Sequence, residues 1–127
     1  MMKIDWIPRR EHDASVTLYE NNITLSKVAA NYFTDAYKVL VGIDKEKNRI
    51  VIKKVSREET LRGDINKSTL HNISIKLSYG RITGKLLMNE ISEKLNLDFD
   101  KKKSYKYNAK WYNADKMLIV ETEEEVK

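Results

Sequence analysis

A chain of 127 residues can form one domain, or two half-domains that share a core. Cysteine is absent, which excludes disulfides and thiolate metal sites. No apolar run approaches the roughly 20 residues of a membrane span, and the first ten residues are too short and mixed for a signal peptide. We therefore expect one cytoplasmic domain over residues 1–127 with no membrane partner. The net charge of +5 favours a polyanionic partner without requiring one.

The N-terminal stretch predicts a short extended segment. Ile4 and Trp6 have period-two spacing, and Pro8 keeps the residue before it out of the helical region. Arg9 and Arg10 follow and could grip phosphate groups. The alternative interpretation is an exposed basic turn.

Residues 14–55 predict two strands, a helix and a hairpin. Val16 and Leu18 alternate with polar residues, Asn21 and Asn22 suit a bend, and Ser26 can cap a helix over residues 27–34. A charged turn at 44–48 joins the strands 37–43 and 49–53. The helix has an apolar stripe at helical spacing, which predicts core positions for Val28, Ala29, Tyr32 and Phe33.

Residues 56–72 form a polar connector. Ser56 and Glu59 have the spacing of a capping box, which predicts a short helix that stops at Gly63. His71 closes the connector and is expected at the surface or at a strand end.

Residues 73–121 repeat the order of elements. Ile73, Ile75 and Leu77 alternate as a strand, and Gly80 permits a bend or bulge. A helix follows over residues 85–96, and a last hairpin ends in the apolar strand 116–120. The predicted buried stripe of this helix comprises Leu86, Leu87, Ile91 and Leu95.

The strand 104–111 puts its aromatic residues on one face and its lysines on the other. Tyr105, Tyr107 and Trp111 could form a stacking platform for bases. The alternative, which we favour, is that the aromatic face lies in the core and the lysines in water.

The stretches 15–24 and 74–83 superimpose without a gap. Ile23 then lies on Ile82 and Thr24 on Thr83, and the preceding strands match as Ser15 on Ser74, Val16 on Ile75 and Leu18 on Leu77. We therefore predict an α+β, mainly β fold from two β-β-α-β-β repeats, residues 14–55 and 73–121, with 56–72 as connector.

No catalytic arrangement stands out. His12 and His71 fall in polar connectors, and the four glycines are not clustered into a phosphate loop. The sequence therefore predicts a protein that is not an enzyme and has no cofactor and no metal.

The second half resembles the AbrB-like swapped-hairpin family of bacterial DNA-binding proteins. The resemblance rests on the stretch from Ile75 to Thr83, which contains Gly80-Arg81-Ile82, on the helix after it, and on the late hairpin that ends with residues 116–121. The tandem arrangement is also similar to MraZ-type regulators. In that family two chains interleave their hairpins, so the resemblance implies a pseudo-dimeric barrel within one chain, as a monomer or a homodimer. In the first unit Asn22 stands at the counterpart of Arg81.

The resemblance implies a small protein that binds double-stranded DNA, as a transcriptional regulator or a mobile-element accessory factor. The residues expected at DNA are Arg81 and Lys85 near the bend and helix start, and Lys76, Lys27, Arg9 and Arg10. Two alternatives remain: a protein-interaction module on the same fold, with a protein partner, and a single-strand nucleic-acid binder that uses the aromatic strand.

Overall fold

The computed structural model describes residues 2–7 and 14–126. Pro8, Arg9, Arg10 and His12 fall outside the described residues. In sequence order the elements are β1 (Ser15–Tyr19), β2 (Asn22–Ser26), α1 (Lys27–Asn31), β3 (Lys38–Asp44), β4 (Arg49–Val55), α2 (Arg57–Leu61), a 3-10 turn (Lys67–Thr69), β5 (Leu70–His71), β6 (Ser74–Ile75), β7 (Tyr79–Thr83), α3 (Lys85–Leu95), β8 (Ser104–Tyr112) and β9 (Met117–Glu125).

The strands form one curled antiparallel sheet, so the mainly β prediction is confirmed. Within the described residues the strand order is β5-β3-β4-β9-β8-β1-β2-β7-β6. The two edge strands, β5 and β6, are consecutive in the chain and separated only by Asn72 and Ile73. The two edge strands therefore come close at these residues, but each is short, and β5 covers only Val39 and Leu40 of β3.

Three long-range strand pairs, β1–β8, β2–β7 and β4–β9, hold the halves of the chain together. In the β2–β7 pair Ile23 faces Ile82, and in the β4–β9 pair Val51 faces Ile119. The β3–β4 and β8–β9 hairpins, both predicted from the sequence, are confirmed, and each has a four-residue turn. The last residue of each turn has a positive φ, 51° at Asn48 and 53° at Lys116.

The concave side of the sheet and the two helices that pack against it enclose one core. Alternate residues along the strands point inward, as period-two patterning requires. The strand side chains that are fully shielded from solvent are Val16, Leu18, Ile23, Leu25, Val39, Ile50, Ile52, Val55, Ile82, Leu118 and Val120, and they are joined by Ala29 of α1, Phe33 just after it and Met88 of α3.

Gly80 does not bend the chain, which corrects the sequence prediction. It lies within β7 and its φ is not positive. A Cβ atom at this position would lie 3.0 Å from Ile75 Cδ1 and 3.1 Å from Ala30 Cβ. The position therefore needs glycine because α1 and β6 pack closely against the backbone of β7.

Leu77 is 94% exposed, although the alternation predicted an inward position. The β6–β7 pair is already closed by Ser74 with Arg81 and Ile75 with Gly80. Leu77 therefore lies in the hairpin turn, where alternation no longer determines the direction of a side chain.

The predicted stripe of α3 was wrong at one position. Leu86 is 80% exposed, whereas Met88 and Ile91 are buried and Leu87 and Leu95 pack beside them. Two adjacent leucines lie about 100° apart around a helix, so only one of them can face the core fully.

Other predictions need smaller corrections. Tyr32 is partly exposed and stacks on Trp111, and the Trp6 ring is exposed in a segment without a strand. The predicted connector contributes β5 to the sheet, and burial in that strand lowers the pKa of His71. The capping box of α2 is confirmed, with Ser56 and Glu59 bonded reciprocally.

Candidate nucleic-acid interface

The outward side of β8, β1, β2, β7 and β6 is a continuous polar surface. The residues on this side alternate with the buried inward ones, so they point away from the core. We call this surface the polar face and define it by Ser15, Thr17, Tyr19, Asn22, Thr24, Ser26, Ser74, Tyr79, Arg81, Thr83, Ser104, Lys106 and Asn108. These residues include two cations, many hydroxyls and no carboxylate.

The strand register aligns both cations of the polar face in one row. Lys106 pairs with Thr17, Thr17 with Thr24, and Thr24 with Arg81. Directly paired residues point to the same side of a sheet. At about 4.8 Å per strand, Lys106 and Arg81 are roughly 14 Å apart along the sheet, with two threonines between them.

The Arg81 side chain is exposed and held in place by an aromatic ring. Its Cζ lies 4.9 Å from the centroid of the Tyr79 ring, the geometry of a cation–π contact. No carboxylate of the described residues lies within 4.0 Å of its guanidinium. The N–H groups of Arg81 are therefore available to an anion from outside.

The other predicted cations flank Arg81 along the β2–β7 ladder. Lys27 follows Ser26, which pairs with Tyr79 at one end of the ladder. Lys76 lies in the β6–β7 turn at that same end, where its amide donates to the Tyr79 carbonyl at 2.8 Å. Lys85 begins α3 just beyond the opposite end of the ladder. All three lysines are exposed.

The hydroxyl and amide groups near Arg81 form short-range bonds with one another. The Thr24 hydroxyl donates to Asn22 Oδ1 at 2.7 Å, and Asn22 Nδ2 donates to Asn21 Oδ1 at 2.8 Å. Ser26 Oγ accepts from the amides of Ser15 and Ala29 at 3.0 and 3.4 Å. Ser26 is thus committed to capping α1, as predicted.

Among the strands of the described residues, carboxylates occur in β3 and β9 only. Arg49 lies 3.2 Å from Asp44, and its hydrogen bond to that carboxylate is the main cause of the lowered pKa of Asp44. Glu121 lies 3.7 Å from the same arginine, and Glu125 pairs with Lys102. These glutamates belong to β9, which pairs directly with β8 and places Glu125 opposite Tyr107, next to Lys106. From β7 they are four strand spacings or roughly 19 Å away along the sheet. That exceeds the Debye length of about 8 Å at physiological salt, so their field at Arg81 is screened.

The aromatic side of β8 faces the core, as we favoured. Tyr107 is only 5% exposed, and burial raises its pKa to about 12. Tyr105 packs edge-to-face on Phe99 at 5.5 Å, and Trp111 stacks on Tyr32 at 4.8 Å. A buried Tyr107 cannot stack with a base, so these side chains do not form the platform that a single-strand binder would need.

A cavity of about 630 Å³ lies at the Lys85 end of the polar face. It is bordered by the β1–β2 bend, the first turns of α3 and the segment between α3 and β8. Its lining comprises Tyr19, Glu20, Asn21, Lys85, Asn89, Phe99 and Lys103.

Sequence reasoning missed two cations of this region, Lys106 and Lys103. The alternation in β8 already assigned Lys106 to the solvent side. The missing information was the pairing of β8 with β1, which brings Lys106 into the row of Arg81. Lys103 was part of a charge run with no structural context.

Comparisons with models of protein families, with curated proteins and with solved structures found no match. Among the described residues, no helix has the length and apolar character needed to cross a membrane. Residues 2–7 and 14–126 also contain no group of three or more His, Cys, Asp or Glu arranged to hold a metal ion.

Proposed function

We propose that this protein binds double-stranded DNA through the polar face, as a small regulator of transcription or an accessory factor of a mobile element. The observation that carries the proposal is the row Lys106–Thr17–Thr24–Arg81, cationic at both ends and free of carboxylates. Phosphate contacts in DNA complexes come chiefly from Arg and Lys, assisted by Ser, Thr and Asn side chains.

The spacing of the cations supports a duplex as the ligand. The roughly 14 Å between Lys106 and Arg81 is comparable to the 12 Å width of the B-DNA major groove, so the two could contact phosphates on either side of it. Lys27, Lys76 and Lys85 extend the positive charge along the perpendicular direction. Hydroxyls between the cations would position the backbone, and few side chains would read base edges.

The same proposal includes the origin of the fold. We regard the sheet as two β-β-α-β-β units that interleave in the manner of AbrB-like swapped hairpins, as a pseudo-dimer in one chain. The facing of Ile23 with Ile82, and the two matching four-residue turns, support this origin. The first strands of the two units differ, because β6 is short and Leu77 lies in a turn.

Removal of the Arg81 charge tests the proposed interface. We expect Arg81→Gln to weaken binding to a random-sequence duplex and to reduce the salt slope by about 1, because one phosphate contact is lost. Lys47→Gln is the matched control, since it removes the same charge from the exposed β3–β4 turn. Fluorescence anisotropy at several salt concentrations gives both quantities. Equal effects of the two variants would refute the interface.

A protein-interaction role is the second candidate, favoured by the N-terminal segment. Met2, Ile4, Trp6 and Ile7 are 88%, 52%, 83% and 93% exposed, a dense group of apolar side chains in water. A chain without residues 1–7 should lose a protein partner if this segment docks to one, and should keep its DNA affinity if the polar face is the DNA site.

A further inference from the structure

Two of the three strand pairs that join the halves, β2–β7 and β4–β9, have the register that a twofold axis between two like units produces. The third pair, β1–β8, has no counterpart, because β3 pairs with β5 and not with β6. On such an axis a strand pairs with its own copy, and the central residue faces its equivalent. Ile23 faces Ile82, its match in the gap-free superposition. Alignment of the two four-residue turns makes Val51 the equivalent of Ile119, and these residues also face each other.

The cations of the polar face do not obey this pseudo-symmetry. The superposition that matches Ile23 with Ile82 places Asn22 on Arg81 and Ser26 on Lys85. It also places Thr17 on Lys76, so the second unit carries three cations where the first has neutral side chains. The reverse holds for Lys27, a cation of the first unit whose match in the second unit is the apolar Leu86.

The outer cation Lys106 does have a basic counterpart, but that counterpart is engaged. Alignment of the two turns matches Lys106 with Lys38. The ammonium group of Lys38 bonds to Asn72 and lies 5.4 Å from the centroid of the Tyr37 ring. Lys106 forms no salt bridge with any described residue.

We propose that the polar face binds DNA in a one-sided manner: one chain occupies one site, the second unit supplies the main grip, and the site needs no dyad symmetry. This inference rests on the proposed function and specifies its partner. A symmetric dimer matches a palindromic site because both halves make the same contacts. Here Arg81 contacts the phosphates of one strand, and the matching contact from Asn22 is absent.

The β2–β7 ladder places Asn22 of the first unit in the position that Arg81 has in the second unit. Asn22 lies diagonally across the β2–β7 ladder from Arg81, at the roughly 7–8 Å typical of diagonal neighbours, and on the same side of the sheet. Thr24 and Thr83, which face Arg81 and Asn22 respectively, are also matched by the superposition. An arginine at position 22 would therefore face Thr83 as Arg81 faces Thr24. Its other neighbours differ, because Glu20 stands at the match of Tyr79 and the end of β1 lies where Arg81 has Ser74 of β6.

The test is to move the arginine to its pseudo-symmetric position. The doubly substituted chain Asn22→Arg/Arg81→Asn keeps the composition of the natural protein and should recover most of the duplex affinity that Arg81→Asn loses. The control Asn108→Arg/Arg81→Asn restores the same charge at an exposed position of the polar face outside the row of Arg81 and should recover little. Circular dichroism and the melting temperature verify that each chain is folded. Anisotropy gives the affinities, and sedimentation on a short duplex gives the number of chains bound.

Each outcome has a distinct meaning. Recovery in the transposed chain alone, with one chain per short duplex, supports the inference. Failure of the transposed chain to recover, equal recovery in the control, or a requirement for two chains overturns the inference while the proposed function stands. Absence of duplex binding by the natural chain overturns both.

Discussion

Residues on the two sides of β7 meet different physical demands. Arg81 points outward, is exposed, and has its guanidinium over the ring of Tyr79. Gly80, its neighbour, points toward Ile75 and Ala30, where a side chain has no room. The alternation of the strand therefore separates a functional position from a structural one within two residues.

Substitution of Gly80 by alanine tests this close packing. The added methyl would meet Ala30 Cβ at 3.1 Å, an atom fixed to the backbone of α1, so we expect Gly80→Ala to lower the free energy of unfolding by about 1–3 kcal/mol. Gly42 in β3 is the matched control, because a Cβ there meets nothing within 4 Å and its φ is not positive. Gly42→Ala should be neutral or stabilising by up to about 1 kcal/mol. Urea denaturation measures both, and equal effects would contradict the account.

Sequence reasoning at the residue scale succeeded where a local hydrogen bond determines the structure. The Ser26 cap and the Ser56–Glu59 capping box were both predicted, because their donors and acceptors lie within three residues. It failed at Gly80, because the reason for a glycine there lies in Ala30, a residue distant in sequence. A glycine is favoured both where the backbone needs a positive φ and where a side chain has no space, so the residue type alone does not reveal which reason applies.

At the scale of elements, the two matched hairpins β1–β2 and β6–β7 are built differently. In β1–β2 the pairs run from Val16 with Leu25 to Leu18 with Ile23, which brings Leu18 into the core. The β6–β7 pair closes earlier and leaves Leu77, the sequence match of Leu18, in the exposed turn.

A pair of leucine substitutions measures that difference. Leu18→Ala removes a fully buried side chain and should lower the free energy of unfolding by about 2–5 kcal/mol. Leu77→Ala should change it by less than about 0.5 kcal/mol, since the side chain is 94% exposed. Denaturant midpoints at a common pH provide the comparison. A large loss at Leu77 would mean that β6 and β7 pair as the gap-free superposition suggested.

Alternation and helical spacing predicted which elements exist, but not where each one ends. The hairpins 37–53 and 104–120 were recognised because a polar turn separates two apolar strands. The end of β6 was missed, because Leu77 continues the alternation that the turn interrupts. β5 was missed because two residues, Leu70 and His71, carry no periodic signal and pair only through long-range contact with β3.

At the scale of the whole molecule, strand order brings distant parts of the chain to one surface. β8 lies beside β1, and β7 beside β2, so Lys106 and Arg81 meet residues from the start of the chain. The sequence predicted Arg81 and the flanking lysines from a resemblance, but the complete row required the pairing of β8 with β1. Net charge describes only the average, whereas the strands β1, β2, β6, β7 and β8 contain no carboxylate and the acidic end of β9 adjoins them only at β8.

The salt dependence of binding to a random duplex tests the central claim that this face binds DNA. If Lys106, Arg81, Lys85 and Lys27 each neutralise one phosphate, the logarithm of the binding constant should fall with the logarithm of salt concentration with a slope of about −3 to −4. Affinity that does not change with salt, or no binding even at low salt, would contradict the claim and favour a protein partner.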